Sequence, residues 1–149
     1  MRLLRYRPRS IAEARKRLLS LGFVEQEIDK AISTAEAAGL LDDNAFARVW
    51  VQDRLLHHPL SRRAIKQELE EKGIDRETVA AAIDNLYPAE EEKKIALDLA
   101  QGRLTRYATL DRPKRVQRTV SFLIRRGFNP RLAGQVARLA DKMQEEDED

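Results

Sequence analysis

Three stretches of this chain share one register: RKRLLSLGF at 15–23, KQELEEKGI at 66–74 and TVSFLIRRGF at 119–128. Each sets a leucine four residues before a glycine (Leu18, Leu69, Leu123) and a large apolar residue directly after it (Phe23, Ile74, Phe128). The glycines, Gly22, Gly73 and Gly127, lie 51 and 54 residues apart. A glycine after a helical run supplies the left-handed backbone that ends a helix. In the first two copies apolar residues resume six and ten places later, at Ile28 and Ile32, then Val79 and Ile83, so a second helix follows each turn. The third copy slips by one position, to Leu132 and Val136. Helical patterns at 42–57 and 89–106 link the copies. A three-helix unit of about fifty residues buries too little surface to stand alone, so neighbouring units must stack. The expectation is an all-α chain of three tandem three-helix repeats, the last incomplete, in an elongated, curved array. The boundaries run 1–9 for a basic N-terminal segment or helix remnant, 10–58, 59–107 and 108–143 for the repeats (the last a helix pair), and 144–149 for an acidic tail.

Start signals support this division. Ser10 with Glu13 three residues on forms a capping box, Asp42, Ser61, Asp75, Asp111 and Asn129 each precede a helical pattern, and Pro130 suits a first helical position. Eight helices are predicted near 10–21, 25–38, 42–57, 61–72, 75–86, 89–106, 112–126 and 130–143. The adjacent carboxylates Asp42 and Asp43 read as a helix cap and a first-turn charge stabilised by the helix dipole, because metal or acid/base chemistry would need convergent partners that are not in view.

No phosphate-binding glycine loop, nucleophile elbow or metal-binding helix motif occurs, cysteine is absent, and the two histidines, His57 and His58, are adjacent and therefore diverge on a helix. No enzyme, catalytic residue, metal or cofactor is expected. No apolar run is long enough to span a bilayer, and composition reads as a globular chain of the cytoplasm. The net charge of +3 conceals an asymmetry: residues 112–138 hold eight basic residues and no acid, residues 68–98 hold ten acids against four bases, and the last five residues are all acidic. A polyanion or an acidic protein surface suits such a pattern, as does a solvated helical surface. The candidate partner-binding residues are basic: Arg5, Arg7 and Arg9 at the start, Arg62 and Arg63 after Ser61, and Lys114, Arg115, Arg118, Arg125 and Arg126 on the helix at 112–126. On that helix Val116, Val120 and Leu123 form the apolar face, and Phe122 lies among the arginines, either joining them in binding or packing against a neighbouring unit.

The ordered set of motifs, RPRS with E-x-R-x-x-L-x-x-x-G-F (7–23), GLLDDNAFARVWVQDR (39–54), IKQELEEKGID (65–75) and FLIRRGF (122–128), resembles the RecX family of regulatory proteins over residues 3 to about 140. The resemblance implies three tandem three-helix repeats and a cytoplasmic protein that binds the RecA recombinase filament on single-stranded DNA; nothing in the sequence demands more than a monomer or points to a membrane. The resemblance further implies suppression of ATP hydrolysis and strand exchange, a role in recombination, DNA repair and the SOS response. The family's longer N-terminal helix would here be shortened or absent, and the third repeat would lack its third helix. A direct DNA-binding module acting apart from RecA is the alternative reading of the same basic helices.

Overall fold

Gly73 and Gly127 are where the chain folds back on itself, in the same way each time. In the computed structural model, which describes residues 9–148, eight helices and no strand are found among the described residues. They are α1 (Ile11–Ser20), α2 (Glu25–Ala37), α3 (Asp43–His57), α4 (Arg62–Glu71), α5 (Arg76–Leu86), α6 (Ala89–Arg106), α7 (Arg112–Arg125) and α8 (Pro130–Glu148). The basic segment 1–9 lies outside the described residues except for Arg9. Two compact units emerge, one drawn from the residues up to Asp53 and Lys66–Leu86, the other from Arg54–Ile65 and the residues from Tyr87 onward.

In the first unit the start of α1 sits on the end of α4. Ser10 caps α1 by accepting from the Glu13 N–H at 3.1 Å, and its hydroxyl then donates to the Lys72 carbonyl at 2.7 Å. Ala12 packs so closely on Gly73 that a Cβ there would collide with the Ala12 methyl. Lys72 Nζ reaches Glu13 at 3.4 Å. The core beneath holds Ile28, Ile32, Phe46, Ala47, Val51, Leu69, Ile74, Val79 and Ile83.

The aspartate pair belongs to this junction. Asp42 accepts from the N–H groups of Asn44 at 3.0 Å and Ala45 at 3.2 Å, capping α3. Asp43 instead reaches across to accept from the Ile11 N–H at 2.9 Å, so α3 satisfies an orphan donor at the start of α1. Loss of water pushes the Asp43 carboxyl up, the Ile11 hydrogen bond opposes the shift, and Asp75, Glu36 and Asp42 add to it by repulsion. The pair is architecture, and Asp43 does more than face its own helix dipole.

The second unit repeats the junction. The Ser61 N–H donates to the Arg126 carbonyl at 3.1 Å, Ser61 Oγ accepts from the Ala64 N–H at 3.0 Å, and a Cβ on Gly127 would meet Ser61 Oγ at 2.6 Å and Ala64 Cβ at 2.7 Å. Arg126 Nη1 donates to the Pro59 carbonyl at 3.0 Å, and the buried Tyr87 hydroxyl donates to the Leu60 carbonyl at 2.8 Å. Helices α6, α7 and α8 pack against one another around Ala96, Ala100, Leu104, Phe122, Leu123, Phe128, Ala133, Val136 and Ala140. The small residues let α6 and α8 approach closely.

One helix end differs from the sequence reading: α8 does not stop at 143 but continues to Glu148. Its acids are drawn into the fold by α7. Asp141, 1% exposed, receives the Arg115 guanidinium at 2.5 Å and that of Arg112 at 3.1 Å, and Glu145 receives Arg115 at 3.0 Å.

Two outcomes follow for stability. Gly22 has the same left-handed φ as Gly127 with no atom near its missing Cβ, so Gly22→Ala should cost about 1 kcal/mol for backbone alone. Gly73→Ala and Gly127→Ala should each cost at least twice that, as read by urea unfolding followed by far-UV circular dichroism. The raised Asp43 carboxyl contributes stability below its ordinary value near 3.8 that is lost as pH rises through the folded value. Asp43→Asn, which keeps the acceptor without the charge, should therefore match or exceed the parent at pH 7, while Asp43→Ala should cost about 1 kcal/mol.

Candidate interaction surface

Helix α7 begins at Asp111, which accepts from the Lys114 N–H at 3.2 Å, with Pro113 in the first turn where no donor is missed. Its arginines divide into two groups. Arg115 turns inward to Asp141 and Glu145, and the hydrogen bond to Asp141 raises its guanidinium further above its ordinary value. A guanidinium held by two carboxylates of its own chain is not a binding cation, which corrects the reading of Arg115 as part of the contact face. Arg118 and Arg125 are exposed, with Arg118 5.9 Å from the centroid of the Tyr107 ring.

Phe122 also requires correction. It is 5% exposed and clusters with Ala96, Ala100 and Leu104 of α6, the last helix of the preceding repeat in the sequence reading, so of its two expected roles it takes packing and does not offer a ring to solvent. The buried stripe of α7 is Thr119, Phe122 and Leu123, with Val116 and Val120 only half-buried at its edge. Thr119 fits there because its hydroxyl donates to the Arg115 carbonyl at 2.8 Å.

What Phe122 provides is a platform. Arg126 lies 4.8 Å from its ring centroid and Arg103, from the end of α6, lies 3.9 Å away. Both contacts are within cation–π range. Burial lowers the Arg126 guanidinium below its ordinary value, and repulsion from Arg103 lowers it further. Two like charges over one ring, half-buried, are held together without compensation: among the described residues none of Arg103, Arg118, Arg125 and Arg126 has a carboxylate partner. Arg118, Phe122 and Arg126 follow one another at intervals of four on α7, so the cations form one stripe. Such a stripe suits phosphate oxygens or carboxylates, which guanidinium groups bind in bidentate fashion. Arg103 was not visible from sequence, because the only signal was a basic last turn of α6, and nothing local ties it to Phe122.

The other candidates are scattered. Arg62 is held in place, its Nε donating to the Tyr87 carbonyl at 2.7 Å and its N–H to Glu92 at 2.7 Å, so it is a structural member of the Ser61 junction. Arg63 and Lys114 are exposed, as is Arg9 just before Ser10, while Arg5 and Arg7 lie outside the described residues. Among the described residues no cluster of His, Asp or Glu is placed to hold a metal, and no helix is long and apolar enough to cross a membrane.

This arrangement has relatives. Residues 42–83 match the second three-helix domain of RecX and residues 90–136 the third, so those domains begin at α3 and α6, one helix earlier than divisions set at 59 and 108. The regulatory protein RecX of Streptomyces coelicolor is 34% identical over 149 residues, all of this chain and 78% of the relative. That of Thermobifida fusca is 36% identical over 140 residues, 93% of this chain and 74% of the relative. The crystal structure of RecX from Lactobacillus salivarius shares the fold, with a TM-score of 0.77 at 23% identity over 94% of this chain and 90% of that one. With both domain models matched in order and full-length similarity to named members, the chain belongs to the RecX family of regulatory proteins.

Proposed function

We propose that this protein binds the RecA recombinase filament on single-stranded DNA in the cytoplasm and lowers its ATP hydrolysis and strand exchange, catalysing nothing itself. Membership of a family of regulatory proteins supports the reading. The observation that carries it is the stripe of Arg103, Arg118, Arg125 and Arg126, cations that the fold assembles and leaves without carboxylates. A nucleoprotein filament presents both phosphates and acidic side chains, either of which such a stripe can take. Contacts made by more than one unit of a single chain reinforce one another through effective concentration. Occupancy then shifts the filament toward whichever conformation the bound protein fits better, and a conformation poor at hydrolysis suffices for inhibition.

The test is single-stranded-DNA-dependent ATP hydrolysis by the cognate RecA, titrated with this protein, alongside binding to naked DNA. Hydrolysis should fall, with little affinity for naked DNA. Arg118→Glu with Arg125→Glu should raise the half-inhibitory concentration about tenfold, on the order of 1 kcal/mol for charges at the rim of an interface, with melting unchanged. Arg115→Glu should behave differently, lowering the melting temperature, because a new carboxylate then faces the buried Asp141 with only Arg112 left to pair it. Unaltered hydrolysis together with salt-steep binding to naked DNA would favour the direct DNA-binding reading instead.

A further inference from the structure

The end of α8 runs against the physics of its own helix. Glu145, Glu146, Asp147 and Glu148 close it, and its last turn holds no basic residue. Negative charge is disfavoured at the carbonyl end of a helix, and like charges three or four residues apart repel one another. All four side chains are exposed, so none is there to fill the core. A run that breaks a local rule marks a place where something other than local structure sets the sequence.

Across from it lies the start of α7. Asp141, Glu145 and Glu148 follow at intervals of four and three and so share one face of α8. With Ala108 and Gln144 they line a cleft of about 60 Å³ around Arg115. Asp141 by itself satisfies the buried requirement, since it takes both Arg115 and Arg112. Glu145 adds a half-exposed bond to Arg115 at 3.0 Å, and pairs open to solvent contribute little stability. Stability therefore does not account for Glu145 and Glu148. Binding does. Arg112, Arg115, Arg118, Phe122 and Arg126 succeed one another on α7 at intervals of three or four, which makes them one stripe. The acids of α8 are paired with its first two cations, and the later ones carry no carboxylate among the described residues. Arg112 gives Asp141 only its Nε, at 3.1 Å, and its side chain stays 57% exposed, so a second anion can still reach it.

We propose that the acidic end of α8 is a competitor built into the chain, which holds the place of a polyanion on the first turns of α7 and so keeps bare single-stranded nucleic acid off the stripe. A row of carboxylates offers guanidinium groups what a row of phosphates would. A bare strand binds according to the number of cations it neutralises together. On this helix it must displace Glu145 or forgo Arg115, and it is repelled by the exposed acids that follow. A filament surface that also touches other parts of the chain loses proportionately less, because its remaining contacts hold it in place. Glu145 to Glu148 thus discriminate between a coated strand and a bare one. The proposal rests on the reading that the α7 stripe takes a polyanion.

The test uses the full chain carrying Glu145→Gln, Glu146→Gln, Asp147→Asn and Glu148→Gln, with Asp141 kept to hold Arg112 and Arg115. Binding of a fluorescent oligothymidylate is followed by anisotropy over a range of salt. Affinity at low salt should rise about tenfold, and the slope of log K against log salt should steepen by about 1, as one or two further phosphate contacts require. The melting temperature should be no lower than the parent's. Arg112→Ala should change DNA binding little in the parent and weaken it several-fold in the substituted chain. Unaltered DNA affinity in the substituted chain overturns the proposal. An equal gain in a control of the same net charge, Glu70→Gln, Glu71→Gln, Glu90→Gln and Glu91→Gln, also overturns it, because charge without position then suffices. RecA hydrolysis measured with the same chains separates the two readings. A parent that does not inhibit, beside a substituted chain that gains DNA, supports this proposal and sinks the filament reading; inhibition by the parent with no gain in DNA binding overturns this proposal alone.

Discussion

The arrangement of the helices rests on one contact: the capped start of a helix set against the glycine-terminated end of another. A helix start presents unpaired N–H groups and a helix end unpaired carbonyls, and bringing them together buries both without stranding either. Ser10 on Lys72 and Ser61 on Arg126 do this with a small hydroxyl residue. Ser10 and Ser61 are among the few fully buried polar residues, which is tolerable only because each side-chain oxygen is bonded. Gly73 and Gly127 are then required twice over, for the backbone that ends their helix and for the space the arriving helix occupies.

Much of this was legible in the sequence because helix ends are written locally. Leucine, glycine and apolar residue in one register, with Ser or Asp ahead of each run, locate the eight helices to within a residue or so except at the last end. That exception is instructive. A run of five acids reads as a solvated tail when only its neighbours along the chain are considered, yet its first member, Glu145, is bound together with the preceding Asp141 by Arg115, some thirty residues earlier. The same blindness applies to the surface. Periodicity made Val116, Val120 and Leu123 the inner face of α7 and left Phe122 outside, but the width of a buried stripe depends on how close the neighbouring helix comes. Here Ala96 and Ala100 on α6 let Phe122 in.

Charge was therefore a good guide to which helix matters and a poor one to which residue. Arg115 and Arg62 are as basic as their neighbours, and both are consumed in holding the fold. Arg103 carries no local distinction, yet it completes the most unusual charged feature of the molecule. An ion pair or a stacked ring is a property of two segments, and a single sequence records only one at a time.

The pairing of Arg112 and Arg115 with α8 gives α7 a polarity. Its first turns are neutralised by Asp141 and Glu145, whereas Arg125 and Arg126 at its far end are not. A polyanion lying along this helix meets a gradient of potential rather than a uniform band, with the deepest point near the Phe122 platform. A uniform band would tolerate sliding, because every displacement by one phosphate is equivalent. A gradient singles out one register and one direction, so the acidic end of α8, by subtracting charge from one end of its neighbour, converts attraction into orientation.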